Sequence, residues 1–178
     1  IKWVPFTVGE LFQTSCEHYL EKSKKNYNIS EVKTEEFPVA VCAASKNNNG
    51  IVGYISEVDD VPIKKRINKL TKGGFGHVFF QDQWFIKPGG SWGMLDILNV
   101  KNDKFREALD SDFNAYRFLA KLLTKIFVDF ASWGAGVPIE REIIMLPLVE
   151  TNNSDFVFEK GNKYIFATKT ACYLYCCG

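Results

Sequence analysis

Apolar and polar positions recur along this chain with two different periods. Residues 113–130 carry the helical one. Phe118, Leu119, Leu122, Leu123, Ile126, Phe127 and Phe130 repeat at i, i+3, i+4 and i+7 and gather on one face of an α-helix. Asp110, Ser111 or Asp112 stands where an N-cap is needed, and "SWGAG" (132–136) supplies glycines that tolerate the left-handed backbone ending a helix. Elsewhere the apolar runs are short and rich in β-branched and aromatic residues. Trp3–Val8 is strand-like, ahead of Gly9 and a short helical turn from Glu10. Pro38–Ala44 predicts a buried strand, and Ile51–Ile55 its hairpin partner across three asparagines and a glycine. The stretch "FGHVFFQDQWFIKP" (75–88) alternates and predicts another strand or hairpin closing at Gly89–Gly90. "EIIMLPLVE" (142–150) reads as a strand that Pro147 places at a sheet edge, and "KYIFATKTACYLYCC" (163–177) as an apolar terminal strand.

Between these runs, residues 17–36 are charged and weakly periodic, reading as a polar helix or a surface excursion. Residues 57–74 form a charged connection ending in a glycine pair, and no repeat or low-complexity tract is present. The pattern predicts one α+β domain over residues 1–178. It has a mixed, mostly antiparallel sheet, one dominant amphipathic helix at about 113–130, and several long loops.

Composition adds three constraints. A chain of 178 residues that is 46% hydrophobic can bury a sizeable core, and 15 phenylalanines make that core large-ringed. A net charge of +1 supplies no global field for nucleic acid or an anionic membrane, so any DNA binding needs a local basic patch. The five cysteines (Cys16, Cys42, Cys172, Cys176, Cys177) are odd in number and lack C-x-x-C pairs, which suits reduced thiols in the cytoplasm. A metal at the terminal C-x-x-x-C-C would need further ligands, and only His18 and His77 are available, far away in sequence. No run approaches the ~20 apolar residues of a membrane span, so no membrane partner is expected.

Catalytic chemistry has little to stand on. No nucleophile–base pair or metal-ligand spacing is visible, and His18 and His77 read as surface or strand residues. "GGFGHV" lacks the spacing of either phosphate-binding glycine motif, and Asp59–Asp60 and Asp110/Asp112 are explained by turns and caps. One cluster remains. "IKKRINKLTK" places Lys64, Lys65, Arg66, Lys69 and Lys72 within nine residues, enough to neutralise several phosphates. Glu57, Asp59 and Asp60 lie beside it, so a charge-balanced solvated face fits the same residues.

The order of motifs carries more than any one of them. "WVPFTVGELF" (3–12) is followed by "FPVAVCAASKNNNGIVGYI" (37–55) and then by "LTKGGFGHVFFQDQWFIKPGGSWGMLDI" (70–97). Last comes the amphipathic helix joined to "SWGAGVPIEREIIMLPLVE" (132–150). In this order the segments, covering about residues 3–150, resemble the target recognition domains of restriction–modification specificity subunits. These are the type I S subunit family and its methyltransferase-fused relatives. The tail, residues 151–178, departs from the pattern: it has no helical heptads where the family runs into a long spacer helix.

The resemblance implies a non-catalytic, sequence-specific double-stranded DNA module without a cofactor of its own. A partner adenine methyltransferase would bring S-adenosylmethionine and flip the target base, with a restriction subunit joining the complex. A second recognition domain or a homodimer is left open, as is the choice between a type I and a methyltransferase-fused system. Asparagine suits bidentate contact with adenine and lysine with guanine, so Lys46, Asn47 and Asn48 become expected base readers. Gln81, Gln83 and Lys87 come next, with Trp92 and Arg141 behind them. Lys64, Lys65, Arg66, Lys69 and Lys72 are expected on phosphate. The alternative is a structural or protein-interaction domain of the same fold that no longer reads DNA.

Overall fold

In a computed structural model of the chain, which describes residues 1–15, 19–20, 28–56, 68–88, 95–129 and 139–178, the long helix forms where the period predicts it. We label the strands β1 (Lys2–Thr7), β2 (Phe12–Ser15), β3 (Tyr19–Leu20), β4 (Val39–Cys42), β5 (Ile51–Ile55), β6 (Lys69–Gly73), β7 (Val78–Gln81), β8 (Phe85–Pro88), β9 (Leu95–Val100), β10 (Ile143–Glu150), β11 (Phe158–Lys160) and β12 (Asn162–Phe166). The helices are α1 (Val8–Leu11), α2 (Asp103–Asp110), α3 (Phe113–Val128) and α4 (Thr168–Cys177).

Helix α3 starts at Asp112, whose carboxylate accepts from Asn114 N–H (3.0 Å), and it buries Tyr116, Leu119, Leu123 and Phe127. Its C-cap is Asp129. The "SWGAG" stop signal falls outside the described residues.

Among the described residues, three four-stranded sheets are ordered β1-β10-β12-β11, β2-β9-β6-β7 and β3-β8-β4-β5. All described pairings are antiparallel except β8 with β3 and with β4, so the α+β, mixed and mostly antiparallel architecture is observed. The main core lies among the first two sheets, α2 and α3. Fully buried Phe105 of α2 sits there between the rings of Phe158 (5.1 Å) and Phe166 (5.0 Å). Strand β4 is buried on both faces. Val39 and Val41 meet Ile55 and Ile86, while Ala40 and Cys42 meet Phe85 and, from β9, Leu95 and Ile97. That second contact seats the third sheet on the second.

Several segments take a form that the periodicity left open or did not show. The stretch 75–88 is two strands in two sheets rather than a hairpin: β7 pairs with β6, and β8 joins β4. Thus Lys69–Gly73, expected as part of a connection, is a strand. Thr124 of α3 accepts from Val78 N–H (2.9 Å), covering the outer edge of β7 that a hairpin partner would have filled.

Strand β10 lies between β1 and β12, not at an edge. Pro147 is tolerated because its side of the backbone faces the end of β12, where its carbonyl accepts from Ala167 N–H (3.0 Å) and no donor is required. Of the segment 17–36, Tyr19–Leu20 is a strand and Ser30 bridges Tyr54 of β5. No helix occurs in its described part.

The terminal run splits. Asn162–Phe166 is the strand β12, and Thr168–Cys177 is the helix α4 against α3, with Ala171, Cys172 and Tyr175 on the buried side. The cysteines of the tail are therefore helical. Burial, aided by Asp112, raises the Cys172 thiol to about 11. No helix among the described residues is long and apolar enough to cross a membrane.

Candidate nucleic-acid interface

The loop that joins β4 to β5 is wider than a two-residue turn. Ala43 N–H donates to Gly50 O (2.9 Å), and Gly50 N–H donates back to Asn47 O (3.0 Å). Three successive residues then take positive φ: Asn48 (49°), Asn49 (56°) and Gly50 (76°). Asparagine and glycine are the residue types that visit this region at least cost, which explains the composition of the run.

Asn48 is part of that geometry, its carboxamide donating to Ile51 O (3.2 Å). Asn49 turns inward. Its Nδ2 donates to Phe80 O (3.0 Å) and to Gln81 Oε1 (3.3 Å), and Gln81 Nε2 donates to Asn49 O (2.7 Å) and to Thr71 Oγ1 (3.2 Å). Gln81 is completely buried. Its side chain clamps the β4–β5 loop to the β6–β7 hairpin.

Backbone approaches tighten the same junction. A Cβ on Gly73 would sit 3.2 Å from Ala44 Cα, and one on Gly50 would sit 3.3 Å from the Phe79 ring. At the turn of the second hairpin, Gly76 has φ +90°, and a Cβ there would lie 2.7 Å from the Phe127 carbonyl carbon. The turn is thereby pinned to the end of α3. The two hairpin tips form one unit, and Lys46, Asn47 and Asn48 are exposed on it. The Lys46 ammonium stands 5.9 Å over the ring of Phe75, which is 39% exposed at the tip of the second hairpin. Asn47 uses its backbone to hold the loop, while its carboxamide makes no capping bond.

The other expected readers are placed differently. Gln81 cannot present its amide to a groove, since the Asn49 and Thr71 bonds occupy it. Lys87 is buried and donates to Leu95 O (2.7 Å). Gln83 is half-buried and accepts from Lys33 (3.0 Å). Lys69 and Lys72, three residues apart on β6, emerge on opposite faces of the strand. Lys69 donates to Asn99 (3.1 Å), and Lys72 lies 3.8 Å from Asp96 and over the Phe127 ring. Arg141 is exposed in the 3-10 turn Ile139–Arg141, which packs on α1 beside Gly9. Lys64, Lys65, Arg66 and Trp92 lie outside the described residues. Phe75, which the sequence analysis does not single out, stands at the tip of the second hairpin between Gly73–Gly74 and Gly76.

No family model matches the chain, and no curated protein matches it. Among solved structures it is similar to the type I restriction-modification system S subunit from M. genitalium. The superposition spans 98% of this chain and 39% of that one, with 12% identity and a TM-score of 0.48. The chain thus spans about two fifths of the length of that structure.

Proposed function

We propose that this domain is a sequence-specific double-stranded DNA recognition module of a restriction–modification specificity subunit. It directs a partner adenine methyltransferase, and with it a restriction complex, to a site, and performs no chemistry itself. The observation that carries this reading is the pair of clamped hairpin tips, which holds Lys46 and Asn47 outward on a fixed base. Two joined hairpins present a narrow polar edge, and the major groove, about 12 Å wide, admits a ribbon of that kind. The four motif segments support the same reading. Two of them build the tips, and the other two build β1, α3 and β10 behind them.

Lys46 is the positioning contact and Asn47 the reader; Asn48 and Asn49 belong to the scaffold. Lys64, Lys65 and Arg66 are proposed to add phosphate contacts. The second reading, a domain of this fold that no longer reads DNA, is favoured by one feature: Gln81 and Lys87, two of the expected readers, are used internally.

A salt titration of duplex binding separates the two. On the recognition reading the domain binds duplexes at low salt, and affinity falls steeply as salt rises. Lys46→Ala then weakens all sequences alike and flattens the log–log slope by about one unit. An absence of binding to any duplex pool, with the methyltransferase added, favours the interaction domain instead.

A further inference from the structure

We infer that Lys121 and Lys125, on one ridge of α3, bind backbone phosphates of the DNA and seat it beside the joined hairpin tips. This rests on the recognition reading above. A groove runs between α3 and the outer edge of β7. Asn49, from the loop that carries Lys46 and Asn47, lines it together with Arg117, Lys121 and Lys125. The three cations stand four residues apart on one side of the helix, each about 6 Å from the next along its axis. Thr124, just before Lys125, ties this ridge to Val78 of β7, and Gly76 meets the Phe127 backbone two residues beyond Lys125. The ridge therefore leads to the tips and is fixed to their hairpin at two points.

The protein does not balance the charge of this ridge. Asp82 is the one acidic side chain lining the groove, and Arg117 takes it at 3.2 Å. Lys121 and Lys125 make no ion pair among the described residues. Lys121 lies over the Tyr175 ring (4.7 Å), which steadies the ammonium without neutralising it. Like charges one helical turn apart weaken a helix, and the α3 dipole compensates only Lys125, in the last turn. A polyanion relieves that repulsion. A DNA strand carries one phosphate per ~3.4 Å of its axis, so two ammonium groups about 6 Å apart meet phosphates one or two nucleotides apart. The facing wall belongs to the loop of Asn47, so a strand held on α3 lies next to the proposed reader.

The test is a salt titration of binding by the full chain, on a duplex selected from a random pool and on a scrambled one. The double variant Lys121→Gln, Lys125→Gln keeps long side chains of good helix propensity. It is expected to flatten the log–log slope by about two units and to weaken both duplexes alike. The double variant Lys2→Gln, Lys104→Gln is the control. It removes the same net charge from lysines already paired with Glu150 and Asp155, and should leave the slope unchanged. An unchanged slope in the α3 variant, while the wild type still binds, overturns the role of the ridge and leaves an acidic protein surface as its occupant. Equal flattening by the control overturns it too, since net charge alone would then explain the effect. Failure of the wild type to select any duplex overturns the recognition reading beneath it.

Discussion

Gln81→Ala is expected to lower the stability of the domain by about 2–4 kcal/mol, because it removes a fully buried amide and leaves two acceptors without their donor. Asn49 O and Thr71 Oγ1 each lose a hydrogen bond, the second in a buried place where water does not readily replace it. The loss also reaches the surface. Asn49 keeps its bond to Phe80 O, but the loop carrying Lys46 and Asn47 loses both of its bonds with the Gln81 side chain. Chemical denaturation reads the stability. A double-mutant cycle with Asn49→Ala should give a coupling of about 1 kcal/mol or more, since the two carboxamides bond to one another. If Gln81 were instead a direct base reader, its alanine variant would lose affinity for DNA at unchanged stability.

Gly76→Ala is expected to cost about 3 kcal/mol or more. Two penalties coincide there: a φ of +90°, which non-glycine residues rarely adopt, and a new Cβ 2.7 Å from the carbonyl carbon and oxygen of Phe127. Backbone cannot rotate away as a flexible side chain would, so either the turn or the end of α3 must shift. Gly161→Ala is the control. Its φ of +72° is also positive, but a Cβ there meets nothing within 4 Å, so only the conformational cost of about 1 kcal/mol remains. Thermal or denaturant melts of the two variants side by side separate close approach from backbone strain. Similar losses in both would remove the argument that Gly76 pins the hairpin tip.

Much of this architecture was legible because it is written in local periodicity. Helix α3 announced itself through an apolar stripe and an Asp cap, and β4 and β5 through compact runs around an asparagine-rich loop. What escaped was decided at long range. Pro147 read as an edge residue because sequence does not show that β12 ends beside its missing donor.

Helix α4 read as part of one apolar, β-like run with the residues of β12, and Ala167 at its N-cap offers no side-chain acceptor to mark a helix start. Gln81 read as a DNA contact within the alternating stretch 75–88. Its burial depends on Asn49, 32 residues earlier. A local effect places Asn48 in the proposed scaffold: the loop takes three successive positive-φ residues where a two-residue turn needs only a pair, and the Asn48 carboxamide bonds to Ile51 O. The resemblance that first suggested DNA recognition lay in motif order. The structure adds which residues of those motifs reach solvent.

If the joined hairpin tips read base sequence, as proposed, Asn47 is where the reading is lost first. Equilibrium binding of the wild type and of Asn47→Ala is measured on a selected duplex and on a scrambled one at the same salt. Asn47→Ala is expected to lose about 1–3 kcal/mol on the selected duplex and almost nothing on the scrambled one. Equal losses on both duplexes, or a wild type that does not distinguish them, would contradict it.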